Sequence, residues 1–308
     1  LIKNSGGTTL VTLDDIDPNV PLGTGVLPIA NGGTGGATAA LARTNLDVPS
    51  NTQFATLEAE VDALGGNITA PGGRLTLTTL TPVKISDVTA AATVYYTPYI
   101  SGNANIWSGT AWEVKSFTEL SQTLADTTKS PAASVADNNY DMFLWSDSGT
   151  MRCTRGPPWT GSTSRGTGGG TTELTRISST GPLVNANAIT NGPAANRGLY
   201  VGTIRTNASN QVDYMVAPSA AAGGSANRVY VWNMYNRVDI ASVMKASDDT
   251  WTYNTSVLRM ANASSANRIT FVAGMNEDAV TADYRINVIS TATSGVIVGI
   301  GLDSSAAA

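Results

Sequence analysis

The sequence predicts a mainly all-β protein: an extended N-terminal segment, a short coiled-coil neck, and two antiparallel β-sandwich or jelly-roll-like domains. Three observations carry that prediction. From residue 74 onward, short alternating runs rich in Val, Ile, Thr and Tyr are separated by Gly, Pro, Asn and Ser, the pattern of strands joined by tight turns. Charged residues make up only 13% of the chain, about half the usual share, and small residues fill their place. Between residues 49 and 66 lies a two-heptad apolar pattern that a single chain has no means of burying.

That pattern places Phe54, Leu57, Val61 and Leu64 at spacings of three, four and three. This is an a/d seam, with Phe and Val at a and Leu at d. Ser50 is positioned to cap the start, with Gln53 three residues later, and Gly65 and Gly66 stop the run. Four buried seam side chains contribute roughly 1.5–3 kcal/mol each. Ordering about fourteen residues costs on the order of 1–2 kcal/mol apiece, and lone helices this short are marginal. The segment therefore needs another surface, either identical chains at an oligomerisation seam or the body of its own domain.

Residues 1–36 show little periodicity and are punctuated by Gly, Pro, Asn and Asp. Their sparse apolar residues, Val20, Leu22, Val26, Leu27 and Ile29, suit a segment that wraps identical neighbours or a docking protein better than a free linker. After them comes Gly32-Gly33-Thr34-Gly35-Gly36-Ala37-Thr38-Ala39-Ala40-Leu41-Ala42-Arg43-Thr44-Asn45-Leu46, with Leu27-Pro28 ahead of it. This stretch resembles a motif of bacteriophage tail fibres, in which a GGTG turn leads into a short ARTNL helix. Here Gly36 is an extra residue and Leu41 stands where the pattern usually has Gly or Glu. Asn45 is the residue expected in the left-handed conformation at the end of that helix. The glycines do not suit a phosphate-binding loop, because no Lys-Ser/Thr follows them.

Strands are expected at Leu75–Thr78, Val83–Ile85 and Thr93–Tyr99. Ile106-Trp107-Ser108-Gly109-Thr110 and Leu144-Trp145-Ser146-Asp147-Ser148-Gly149-Thr150 each read as a strand ending near Trp, followed by a Ser/Gly turn. Ser116–Leu124 suits one short helix. The region from Arg74–Thr78 through Tyr95–Tyr99 to Gly166–Ile177 is similar to tail proteins of phages infecting marine and rhizobial bacteria. A polar link, Ser178–Pro193, precedes a threefold echo: Ala195-Asn196-Arg197, Ala226-Asn227-Arg228 and Ala266-Asn267-Arg268, each launching a strand. Arg285–Ile289 and Val296–Leu302 supply closing strands. The expected organisation is a shaft segment (1–48), a neck (49–66), a first β domain (67–180) and a C-terminal head (181–308).

Chemistry is constrained by what the chain lacks. It has no histidine and one cysteine, Cys153, so imidazole acid–base chemistry and an intrachain disulfide are both excluded. Cys153 reads as a small buried hydrophobe. The net charge of −5, with 18 basic and 23 acidic residues, argues against nucleic acid. The longest apolar run, Gly295–Leu302, is too short to span a bilayer. No metal or other cofactor is expected. The chain starts at Leu1 without Met and no signal peptide is visible, as expected of either a processed product or a shortened chain. Hydrolysis would fall to paired carboxylates among Asp137, Asp141, Asp248, Asp249, Glu277, Asp278 and Asp283; Asp248-Asp249 reads equally as a turn. Aromatics suited to stacking on a surface glycan are Trp159, Trp232, Tyr235, Trp251 and Tyr253, with Trp107 and Trp112 behind them. Trp159, after Pro157-Pro158, is the one expected to be most exposed.

The resemblance implies a homotrimeric, non-enzymatic virion protein, made in the bacterial cytoplasm and carried on the phage tail. It would attach through residues 1–48 to baseplate, nozzle or adaptor proteins, and would bind a bacterial surface glycan or outer-membrane receptor. The alternatives are a tailspike that depolymerises polysaccharide and a fibre or decoration on the phage head.

Overall fold

The computed structural model describes residues 2–3, 5–6, 9–11, 38–46, 49, 52–57, 69–161, 164–166, 173–179, 181–248, 250–252, 259–276, 280–283 and 299–300. The fold is mainly β. The chain divides into two units, Leu1–Asn67 and Ile68–Ala308.

In the first unit, strands β1 (Ile2–Lys3) and β2 (Thr9–Val11) pair antiparallel. Helix α1 spans Ala39–Asn45, and its start is set by Thr38, whose Oγ1 accepts from the Leu41 N–H at 3.2 Å. That bond satisfies one of the orphan donors of the first turn. The helix ends at Leu46 (φ −91°) and not on the left-handed Asn45 that the sequence led us to expect. Residues 52–57 are helical, as the neck pattern requires, and Phe54 and Leu57 are 51% and 54% exposed. Val61, Leu64 and the capping Ser50 lie outside the described residues, as do the expected closing strand Arg285–Ile289 and most of Val296–Leu302.

The second unit begins with β3 (Gly73–Thr76), β4 (Val88–Ala91), β5 (Thr93–Pro98), β6 (Asn103–Trp107), β7 (Trp112–Ser116) and β8 (Leu120–Thr123). It continues with β9 (Asn139–Asp147), β10 (Thr150–Pro158), β11 (Leu174–Arg176), β12 (Leu183–Asn185), β13 (Leu199–Arg205) and β14 (Val212–Met215), then β15 (Asn227–Val229), β16 (Val231–Asn233) and β17 (Ile269–Phe271). The largest sheet runs β10-β9-β13-β12-β11, with β16 also paired to β13. The others are β17-β15-β14-β4, β3-β5-β8 and the ribbon β6-β7. Among the described strands every pairing but β15–β17 is antiparallel.

Strand β9 sits between β10 and β13, and all residues from Asn139 to Trp145 are buried. Strand alternation sends Tyr140, Met142 and Leu144 to one face, into a core shared with Leu75, Val94, Tyr96, Ile106 and Val231. Phe143 goes to the other face, joining Leu183, Ile189, Tyr200, Trp232 and Val272. One strand thus divides two apolar clusters, and neither can form without it.

The pairing of β13 with β9 contains a bulge: Tyr200 faces Phe143, Gly202 faces Met142, and Val201 is the extra residue. The insertion resets the alternation. Val201 and Ile204 both enter the first core, while Tyr200 and Thr203 share the opposite face and their hydroxyls meet at 2.7 Å. Only glycine suits position 202, because a Cβ there would lie 2.2 Å from the Trp232 carbonyl oxygen and 2.7 Å from Leu75 Cδ1. Two side chains tie the smaller sheet to the larger. Asn233 accepts from the Leu75 N–H at 2.6 Å and donates to the Leu75 carbonyl at 3.2 Å, acting as a strand partner for β3. Gln122, in β8, accepts from the Arg155 N–H of β10 at 3.2 Å.

Three expectations are corrected. Residues 67–180 and 181–308 are not separate domains: β9 pairs with β13, β4 pairs with β14, and the β11–β12 hairpin itself straddles the expected boundary. Ser116–Leu124 is not helical, since β8 pairs with β5 there. Val83–Ile85 is not a strand, and Ile85 is 92% exposed. The two Trp-and-turn hairpins form as expected, with Ser148 and Gly149 both at positive φ between β9 and β10. Ala195-Asn196-Arg197 and Ala266-Asn267-Arg268 precede β13 and β17 as expected, whereas Asn227 and Arg228 are not a turn but the first two residues of β15 itself.

Gly202→Ala is expected to cost about 3 kcal/mol, the upper range for overpacking, and to shift the urea midpoint without changing the slope of the unfolding curve. An unchanged midpoint would mean that the bulge does not depend on glycine.

Candidate functional site

Two of the aromatics expected at the surface are part of the interior. Trp159 is 7% exposed and lies beneath the Arg165 guanidinium, 4.4 Å from its ring centroid. Its N–H donates to the Asn139 carbonyl at 2.9 Å, continuing the chain from β10, so the preceding prolines do not push it out. Trp232 is buried, stacked on Tyr200 with centroids 6.2 Å apart and covered by Arg237 at 4.5 Å.

At the centre of this cluster is Asp141, fully buried on β9. It accepts from Arg165 Nε at 2.6 Å and Arg165 Nη2 at 3.3 Å, and from Thr203 Oγ1 at 2.7 Å. The Trp159 indole N–H is buried and makes no hydrogen bond. Burial pushes the Asp141 carboxyl above its ordinary range, against the pull of Arg165. Arg165 also donates to Tyr200 Oη at 3.1 Å and to the Gly274 carbonyl. The carboxylate, the guanidinium and the two hydroxyls of the cluster are engaged with one another, so it serves as a clamp between segments and not as an open site.

The open geometry lies elsewhere, on the β6–β7 ribbon. In its register Asn105 faces Val114 and Trp107 faces Trp112. Alternation therefore places all four side chains on one face of the ribbon. Trp107 and Trp112 are half-buried, with centroids 5.6 Å apart and planes tilted by 57°. The tip holds them in place: the Ser108 N–H donates to the Ala111 carbonyl at 2.8 Å, and Gly109 (φ +103°) sits against the Arg197 guanidinium, closer than any side chain would permit. On the same face, Asn105 lines a cleft of about 250 Å³ together with Pro71, Arg176, Leu183, Leu199 and Tyr235.

Tyr235 was a sequence candidate and is the one that reaches this cleft. Burial pushes its phenol up to about 12, so its hydroxyl stays protonated at neutral pH. Arg176 is anchored by donating through Nη1 to the Gly181 carbonyl. Trp251 is 37% exposed, and Tyr253 lies outside the described residues. Nothing in the sequence marks Arg176 or Asn105. The strand-Trp-turn echo, however, does locate Trp107.

Of the acids weighed for hydrolysis, Asp137 and Asp248, like Asp141, have other partners, and Asp283 is exposed. Asp137, at φ +56°, lies 3.9 Å from Arg205. Asp248 accepts from the Gly223 N–H at 2.5 Å and from Asn262 Nδ2 at 3.0 Å, bracing two loops. Asp249, Glu277 and Asp278 lie outside the described residues. Among the described residues no group of three or more Cys, Asp or Glu could hold a metal ion, and no helix is long and apolar enough to cross a membrane. Cys153 is buried, and burial pushes its thiol up to about 12.

Among the described residues, Lys84 is a group whose ionisation moves into the neutral range. The residue is half-buried, with its ammonium 4.2 Å from the centroid of the Tyr214 ring. Burial first, and Arg74 second, bring its pKa from 10.5 down to about 7. Comparison with protein-family models, curated proteins and solved structures finds no match to the chain.

The pH dependence follows from Lys84. The unfolded chain keeps this proton up to about pH 10.5, whereas the folded chain releases it near 7. Between those limits unfolding takes up a proton, so stability rises with pH. The urea midpoint of the wild type is expected to climb from pH 7 to pH 8.5, below the range in which the buried Cys153 thiol and tyrosines act in the opposite sense, and Lys84→Met is expected to flatten that climb. An equal slope in both proteins would contradict the assignment.

Proposed function

We propose that the chain is the subunit of a homotrimeric bacteriophage tail fibre that attaches the virion to the bacterial surface by adhesion, without catalysis. In this reading residues 1–48 dock on other tail proteins, residues 49–66 form a short coiled-coil neck, and the β unit is the head, built on sandwich or jelly-roll lines. Adhesion by several weak heads per virion gains strength through multivalency.

The observation that carries the reading is in the first unit. Leu41, Leu46, Phe54 and Leu57 are 51%, 50%, 51% and 54% exposed. Apolar side chains held on helices and left half in water are the mark of a surface meant for another chain. The GGTG…ARTNL motif supports the same assignment. Its Thr38-capped helix α1 gives the motif a physical basis, with Thr38 at the N-cap, where it stops the glycine run and starts the helix.

Sedimentation equilibrium of the purified chain tests this. A mass three times the 31.7 kDa of one chain is expected, and Phe54→Ser with Leu57→Ser is expected to reduce it to one. A wild-type monomer at micromolar concentration would overturn the trimer. A trimer that survives the double substitution would remove the observation on which the reading stands.

A further inference from the structure

We propose that the cleft beside the β6–β7 ribbon is a saccharide-binding site, taking one ring in the cleft and the next over the Trp107–Trp112 pair. The inference rests on the adhesion reading above and names the chemistry of its ligand.

Three features specify a sugar over other ligands. The cleft, at about 250 Å³, is below the roughly 300–1,000 Å³ of sites for drug-sized molecules and suits a single small ring. Its walls mix apolar and polar groups: Pro71, Leu183 and Leu199 alongside the Asn105 amide, the Tyr235 phenol and the Arg176 guanidinium. A pyranose presents the same mixture, with C–H faces and a rim of hydroxyls that both donate and accept. A phenol that stays protonated and an amide each offer donors and acceptors, whereas a lone guanidinium among these groups would be too little for a phosphate or a nucleic acid, which need clustered cations.

The third feature is the indole pair. Trp107 lies one pleat repeat, about 7 Å, from Asn105 on the same ribbon face, and both indoles keep part of their surface in solvent. An aromatic ring with one side buried and one side free contributes apolar area at low conformational cost. The Arg197-backed turn fixes the pair's position, so a second saccharide unit leaving the cleft along the ribbon meets a rigid platform.

The test titrates the purified wild-type protein with D-glucose, D-galactose, N-acetyl-D-glucosamine and D-glucuronic acid to about 100 mM, a range that covers affinities weaker than millimolar. Binding is read by tryptophan fluorescence and by saturation transfer to the sugar protons. At least one sugar is expected to bind saturably. Tyr235→Phe, which removes only a hydroxyl, is expected to weaken that sugar about tenfold; Trp107→Phe is expected to leave the single sugar unchanged and to weaken about tenfold the disaccharide built from it, whose second ring reaches the indole pair, with melting temperatures unchanged in both variants. No saturable response to any of the four would overturn the proposal, as would a monosaccharide response that Tyr235→Phe retains or a disaccharide response that Trp107→Phe retains. Sedimentation separates this outcome from the fibre reading: a trimer that binds no sugar loses the cleft alone, and a monomer that binds sugar loses the fibre alone.

Discussion

The second unit depends on a single requirement: β9 must be buried on both faces. A strand that feeds two apolar clusters needs partners on either side and cover above and below. Those partners come from positions distant in the chain, with β10 following directly and β13 arriving more than fifty residues later. The cost is one ionisable residue, Asp141, carried into the interior on the second face. Arg165, Thr203 and the surrounding rings answer it. Because the bulge at Val201-Gly202 puts Tyr200 and Thr203 on that same face, one inserted residue both completes the pairing and satisfies the carboxylate. Geometry at the sheet centre and electrostatics at its face are the same problem, solved once.

Both units leave apolar side chains in water. The β unit encloses Leu75, Met142, Leu144 and Ile204 completely but exposes Leu80, Ile85, Ile100 and Val114, and the first unit holds Leu41, Phe54 and Leu57 half in water. What distinguishes the first unit is that its exposed apolar residues sit on short helices, which are marginal without another surface. The proposed fibre rests on that difference.

Much of the strand structure could be read from the residues. The Trp-turn echoes at Trp107 and Trp145 locate both long hairpins, and the Ala-Asn-Arg triplets locate the starts of β13, β15 and β17. The failures have identifiable causes. Gln122 lies buried on β8, accepting from Ser130 and from the Arg155 backbone; a polar residue at an inward position hides the alternation of Leu120 and Leu124 and leaves a helix-like spacing. Polar Ser178–Pro193 looked like a linker, yet Asn185 within it donates to the Ala194 carbonyl at 2.9 Å and accepts from the Gly198 N–H at 2.7 Å. Its polar atoms are spent inside the fold. Pro157-Pro158 suggested exposure for Trp159, but β10 is at the end of its sheet in the described order, where proline costs no ladder bond. The cleft was harder to foresee. Tyr235 was in view, but its neighbours Asn105 and Arg176 come from far along the chain and share no local pattern.

The account's central claim is that residues 68–308 form one cooperative body built on β9, despite the polar stretch in their middle. Native-state hydrogen exchange across the whole chain tests it most directly. The account predicts that the amides of β9 (139–147) and β13 (199–205) exchange slowest, with a common opening free energy that a destabilising substitution in either strand lowers in both. Two groups with separate opening free energies, divided near residue 180, would contradict it.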